Sequence, residues 1–482
     1  MRQAESDDHR CFSAGQSAMP LLLCAILLLL SGCLASPLPP QEPPSVPLPQ
    51  QWRAAAAAQT GHPESDWWHN FHSVNLDRLL TRAVNHSPDF ALTLERVIQA
   101  EIQLRNSGAS LFPSLNLSGS TSRRYSRTSG GDSTTGSATG LSLGASYEID
   151  LFGRIAAEID AAQATFAASS YDAEAVRLSL LSGIAAAYFQ QVATRERLTI
   201  ARANLDITER VLAIVETRLR FGSAAQLDYD RQLATLLGQR SNILTLEEQS
   251  RQQFSALAVL VGLSADQLSL AEESLDALQV PVVTPYLPAA ILLRRPDLAR
   301  AEAQLAAARA NISVARKALF PTVQLTGSLG GASTALLSLS DPVTSASLAA
   351  GLSQAIFDGG RRRNQVATAS SRQRETLENY RKAVLTSLKE VEDALDRVHS
   401  SAERRQLQED IVRLAQSNLT RAEFRYREGA DELLTLLDTQ RSLFQARDQQ
   451  IQLQLARLNA ALDLYKALGG GWHKPRPQTL SD

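Results

Sequence analysis

Few side chains in this sequence stand where their type and spacing could do chemistry. The seven histidines are scattered (His9, His62, His69, His72, His86, His399, His473), and only His69 and His72 come close together. In "DWWHNFHS" that pair reads as surface polarity rather than as metal ligands. No Walker-type loop or dinucleotide fingerprint occurs. "GGRRR", Gly359 to Arg363, could offer backbone amides to a phosphate, but it reads better as a strand-to-helix turn. Neither an enzyme nor a metal or cofactor site is expected. What remains is a thiol placed for acylation and a carboxylate placed among leucines at a helical tip.

The thiol is Cys33. All three cysteines (Cys11, Cys24, Cys33) lie at the start of the chain, so a processed chain keeps at most one. It can then form neither an internal disulfide nor a cysteine-ligated metal site. Leu21 to Leu30, within "MPLLLCAILLLLSGC", is too short to span a bilayer and suits a signal-peptide core. It closes on Leu30-Ser31-Gly32-Cys33, which resembles a bacterial lipobox: small residues admit the signal peptidase, and the thiol receives the lipid. Ordinary secretory cleavage near Gly32 or Ala35 is the competing reading, and translation could start at Met1 or Met19. Leu34 follows the cysteine where an inner-membrane retention signal has Asp, which points to the outer membrane. Residues 1–32 are thus expected to be a lipoprotein signal peptide, and 33–66 a lipidated, Pro-rich tether.

The carboxylate is Asp438, in "FRYREGADELLTLLDTQRSLF". A charge-rich helical segment breaks there at Gly429 and restarts with Leu433-Leu434, Leu436-Leu437 and Asp438. Leu434 and Asp438, four apart, share one helix face, with Leu437 beside them and Arg427 or Arg441 available to neutralise the acid. Spacing alone leaves two readings open: a constriction, or hairpin packing with a solvated charge.

The elements that position this tip are written twice. "SPDFALTLERVIQAEIQLRNSGASLFPSLNLSGS" from Ser87 matches "RPDLARAEAQLAAARANISVARKALFPTVQLTGS" from Arg295. Pro88 and Pro113 shift by 208 residues to Pro296 and Pro321. "RLRFGSAAQLDYDRQ" at Arg218 faces "RYREGADELLTLLDTQ" at Arg425, 207 residues on, so Gly222, Leu227 and Asp228 mark a first-repeat tip. In each copy Pro and Asp open a helix, and Phe-Pro ends it. A period-two hairpin follows, its first loop expected over Ser129 to Gly140 and its last strand at about Ser345 to Phe357. Then comes a long helix: Arg361 to Glu428 contains neither Gly nor Pro, about 100 Å at 1.5 Å per residue. Ile155 to Phe221 is its counterpart. Return helices are expected over Gln226 to Val261 and Glu432 to Leu468, the second with heptad spacing at Leu437, Phe444, Ile451, Leu458 and Tyr465. The expected units are 67–285 for the first repeat, 286–472 for the second and 473–482 for a C-terminal tail.

Near-equal charge, 48 Lys+Arg against 50 Asp+Glu, gives no basic footprint for nucleic acid. Four strands with one apolar face cannot stand alone in lipid, where open edges are not tolerated, and barrels need at least about eight strands. Pooling strands from three chains would close a twelve-stranded barrel. A lipid-anchored coiled-coil scaffold would explain the helices but not the strands.

The order of elements, "LLRRPDL…LFP" from Leu292 to Pro321 and "RYREGADELLTLLDTQRSLF…LYKALGGGW" ending at Trp472 resemble the TolC/OprM-like, NodT-type outer-membrane efflux factor lipoproteins, over nearly all of Trp67 to Trp472. The resemblance implies an α+β membrane protein: a homotrimer whose twelve-stranded barrel in outer-membrane lipid continues as a periplasmic α-helical coiled-coil barrel. It further implies a periplasmic adaptor and an inner-membrane pump, usually of the resistance-nodulation-division type, which supplies the energy. Leu434 and Asp438 match the residues that form the closed aperture in that family. The implied function is the exit duct of a tripartite small-molecule efflux system, with a type I protein-secretion duct as the alternative.

Overall fold

A computed structural model describes residues 47–53, 66–283, 285, 288–472 and 474. The signal peptide, Cys33, most of the tether and the tail other than Lys474 lie outside the described residues.

Ser73 caps α1 (Val74–His86) by accepting from the Leu76 amide, and Leu76, Leu79, Leu80 and Ala83 form its buried stripe. Helix α2 (Pro88–Ala109) starts on the proline read as a helix opener. It is followed by β1 (Ser114–Arg127), β2 (Ser133–Ile149), α3 (Arg154–Arg220) and α4 (Gln226–Leu260). The second copy repeats the order as α5 (Pro296–Lys317), β3 (Thr322–Ser333), β4 (Val343–Ser353), α6 (Arg361–Arg427) and α7 (Leu433–Ala467). Both long helices have 67 residues and both return helices 35. The Gly359-Gly360 turn has φ of 64° and 86°, and Asp358 accepts from the Gly360 and Arg362 amides, so the α6 N-terminus is already occupied by a carboxylate.

The four strands form one antiparallel sheet in the order β1-β2-β3-β4, which leaves β1 and β4 as free edges in the protomer. Register places Leu117 opposite Leu143, Leu143 opposite Leu329, and Leu329 opposite Ala346. One face therefore carries a leucine band, exposed in the single chain, while Ser118–Ser142 and Ser328–Ser347 hydroxyl pairs lie on the other. The first hairpin corrects the expected loop over Ser129 to Gly140. β2 begins at Ser133, Thr135 pairs with Tyr125, and Ser126–Thr134 and Thr121–Thr139 bond across the strands. Cross-strand hydroxyl pairs stabilise a sheet that intrinsic turn propensity disfavours. The last strand ends at Ser353, earlier than expected, with Ile356 and Phe357 beyond it almost fully exposed.

A belt of buried side chains joins the copies midway along the helices. Trp67 stacks on Tyr465 with ring centroids 5.3 Å apart, and Phe71, Ile184, Phe189, Leu257 and Leu458 complete the cluster. Ile451, Leu458 and Tyr465 are buried, as the heptad spacing predicts, while Leu437 and Phe444 pack on a second cluster nearer the tip. Seams repeat too: Gly262 ends α4 at φ +74° against the His86 carbonyl, and Gly469 ends α7 at φ +90° against the Arg294 carbonyl.

Arg295 locks the second seam. Its guanidinium donates to Asp297 at 2.8 Å, to Glu390 on α6 at 2.6 Å and to the Ala467 carbonyl at 3.0 Å. Burial pushes the Asp297 carboxyl up, but the hydrogen bonds and charge of Arg295 outweigh it and hold the group below the usual range. Arg295→Met is expected to destabilise by about 1–3 kcal/mol, less than a fully buried pair because Glu390 is half exposed. A carboxylate with a depressed folded pKa contributes fully above its unfolded value of about 3.9 and loses that contribution as pH falls through the folded value. The gap between the melting temperatures of wild type and variant should therefore narrow as pH falls below about 4, the bond to the Ala467 carbonyl leaving a remainder. A constant gap down to lower pH would remove Asp297 from the account.

Candidate functional site

Both helical hairpins end in the same turn. Gly222 and Gly429 sit at φ +72° and +76°, and the following amides of Ser223 and Ala430 reach back 2.8 Å to the Arg218 and Arg425 carbonyls. This left-handed glycine closure satisfies carbonyls at the helix end at no Cβ cost. Packing at the second tip is carried by Leu433, Leu436 and Leu443, all buried with Val211, Val215 and Tyr426. Leu437 is half buried against the same cluster.

Leu434 is not part of that packing. It is 57% exposed, and with Asp438 it lines a groove of about 630 Å³ between α7 and the α3–α4 pair. Arg197 and Asp448, 2.6 Å apart, line the same groove. Within the protomer Asp438 pairs with Arg441 at 3.1 Å, both side chains being more than half exposed. Arg427 is exposed at the end of α6, and among the described residues no ion pair joins it to Asp438. Burial pushes the Glu423 carboxyl up, and Arg210 and Arg427 pull it down. At the first tip Leu227 is exposed, and Asp228 accepts from the Ala225 amide at 3.2 Å, closing the N-terminus of α4.

Sequence reasoning missed the bond between the two tips. Arg425 is held at home by Asp431, at 2.8 and 3.0 Å. In the first copy the position matching Asp431 is Ala224, so the equivalent Arg218 has no local acid. It reaches across to the Tyr426 carbonyl, with its guanidinium 4.6 Å from the Tyr426 ring centroid. The Ala224-for-Asp431 difference between the copies was the available signal. His69 pairs with Asp77 at 2.9 Å and His72 contacts the Asn70 carbonyl. Among the described residues no group of His, Cys, Asp and Glu is arranged to hold a metal ion.

A sheet with one apolar face and two free edges, continued by two helices about 100 Å long, each with a return helix about half that length, defines one protomer of an outer-membrane channel. The family model described as outer membrane efflux protein matches twice, over residues 79–263 and 287–470, and the chain belongs to that family. The pyoverdine export outer membrane protein OpmQ of Pseudomonas aeruginosa is 40% identical over 466 residues, covering 95% of this chain and 98% of that one. The probable outer membrane lipoprotein SilC of Salmonella typhimurium is 31% identical, covering 94% and 99%. A crystal structure of CusC superposes with a TM-score of 0.78 at 30% identity, covering 89% and 99%. The proteins matched are channels, and the chain is the outer-membrane exit duct of an efflux system. Its family works as trimers with a periplasmic adaptor and an inner-membrane pump.

Proposed function

We propose that in the assembled duct the second-repeat tips form the periplasmic aperture, with Leu434 as an apolar ring and Asp438 as an acidic one. One observation carries this reading: Leu433 and Leu436 are buried while Leu434, between them, is exposed beside Asp438. A leucine released from hairpin packing is free to narrow an axis. Arg441 offsets part of the acid's charge, and the Arg218–Tyr426 bond ties the outer hairpin to the inner one. Arg427 adds positive charge at the rim, while Leu437 seats the helix, and Gly222, Leu227 and Asp228 shape the outer tip. The repeats divide at 285/286, in the segment between the two family matches. Similarity to a pyoverdine exporter favours a small-molecule cargo, and a pump of the resistance-nodulation-division type is its energy source.

The duct requires a closed barrel, which four strands cannot make. Mass measurement in detergent should give a trimer that conducts in planar bilayers; a stable, folded monomer would refute the shared barrel. Lipid attachment at Cys33 has the likeness to SilC in its support. Labelled palmitate should enter the wild-type chain and not Cys33→Ala, and label in the variant would exclude that site. The variant should keep part of its transport, because the barrel itself anchors the trimer.

A further inference from the structure

We propose that the outer end of β1 binds a phosphate-bearing lipid headgroup of the outer leaflet. The alternation of β1 puts Leu115, Leu117, Arg123, Tyr125 and Arg127 on one face, the face of the leucine band. Leu115 and Tyr125 are ten residues apart. At about 3.3 Å per residue and roughly 40° of tilt, that is about 25 Å along the membrane normal, the height of an outer-membrane apolar band. Tyr125, 64% exposed, thus reaches the outer interface, where aromatic rings with a polar end reside. Arg123 and Arg127 lie one strand row below and above it.

The rungs opposite carry hydroxyls: Ser137 faces Arg123, Thr135 faces Tyr125 and Ser133 faces Arg127. Two guanidinium groups and four hydroxyls, counting Tyr125, therefore converge on one small patch of the lipid-facing surface. Among the described residues neither guanidinium has an ion pair or a side-chain hydrogen bond. The nearest acid in the sequence is Asp132, in the turn, and the hairpin's other acid, Glu148, is at its opposite end. A cationic pair at the edge of hydrocarbon is costly unless an anion meets it. Planar guanidinium groups match phosphate oxygens by paired hydrogen bonds, and hydroxyls supply further donors. Arg124, one residue away, points to the opposite, lumen-side face with Ser122 and Ser126 and is the internal control.

The test uses purified trimers in neutral detergent, titrated with bis-phosphorylated lipid A, the same glycolipid stripped of phosphate, and inorganic phosphate. Wild type should bind the phosphorylated lipid, and Arg123→Ala with Arg127→Ala should bind it about thirtyfold more weakly, about fivefold per arginine. Arg124→Ala should match wild type. Because all three side chains are exposed, trimer yield should be unchanged and report intact folding, and conductance should be unchanged in the double variant, whose two arginines face away from the lumen. Equal binding of phosphorylated and stripped lipid, or full binding by the double variant, would overturn the proposal. Inorganic phosphate binding as tightly as the lipid would overturn the lipid as its source.

Discussion

Leu434→Ala combined with Asp438→Ala is expected to enlarge single-channel conductance, weaken cation preference and admit large polar antibiotics such as vancomycin into cells carrying the channel. In the proposed aperture the leucine would narrow and dehydrate the opening and the acid would attract cations to it, so removing both should act on width and selectivity together. The tube should survive the change. Leu433, Leu436 and Leu443 keep the hairpin packed, and the Asp438–Arg441 pair, exposed on both sides, contributes at most about 1 kcal/mol. Normal trimer yield with unchanged conductance and selectivity would show that this hairpin is not the aperture.

Gly469→Ala should be far more damaging than its size suggests. A Cβ there would stand 1.9 Å from the Arg294 carbonyl oxygen at φ +90°. The backbone strain alone costs roughly 1–3 kcal/mol, and the collision must displace the segment that holds Arg295 against its three partners. Trimer recovered from membranes should fall steeply. Gly183→Ala is the matched control: nothing lies within 4 Å of its Cβ position. In α3 the alanine should be neutral or stabilising, since glycine costs about 1 kcal/mol in a helix. If Gly469→Ala yields as much heat-resistant trimer as Gly183→Ala, the seam is more compliant than its geometry indicates.

Much of this architecture was readable from the chain because repetition doubled the signal. The first proline of each pair marked the start of α2 and α5, which end three residues before the Phe-Pro, and uninterrupted charge-rich sequence placed α6 to within a residue. The Ser/Thr/Gly run at 129–140 misled because its strand is defined by partners across the hairpin, not by its own residues. Helix α1 has as its counterpart only a short 3-10 helix, Pro288–Leu293, ahead of α5 in the second copy, so repetition drew no attention to Ser73 and the leucine stripe behind it. At the site, the exposure of Leu434 beside buried Leu433 and Leu436 depends on which neighbour each leucine meets. The Arg218–Tyr426 bond joins residues 208 apart, beyond any local pattern.

The matched lengths of the two helical hairpins constrain how such a duct can change. With 67 and 35 residues in each copy, the two tips end level and can touch. Inserting one residue into α6 alone would rotate everything beyond it by about 100° and advance it by about 1.5 Å. Leu434 would then turn away from its groove, and Arg218 would lose Tyr426. A heptad added to all four helices keeps every face in phase, whereas a heptad added to one hairpin leaves its tip about 10 Å beyond the other. Periplasmic reach in this protein is therefore a quantised property, inherited by both halves together or not at all.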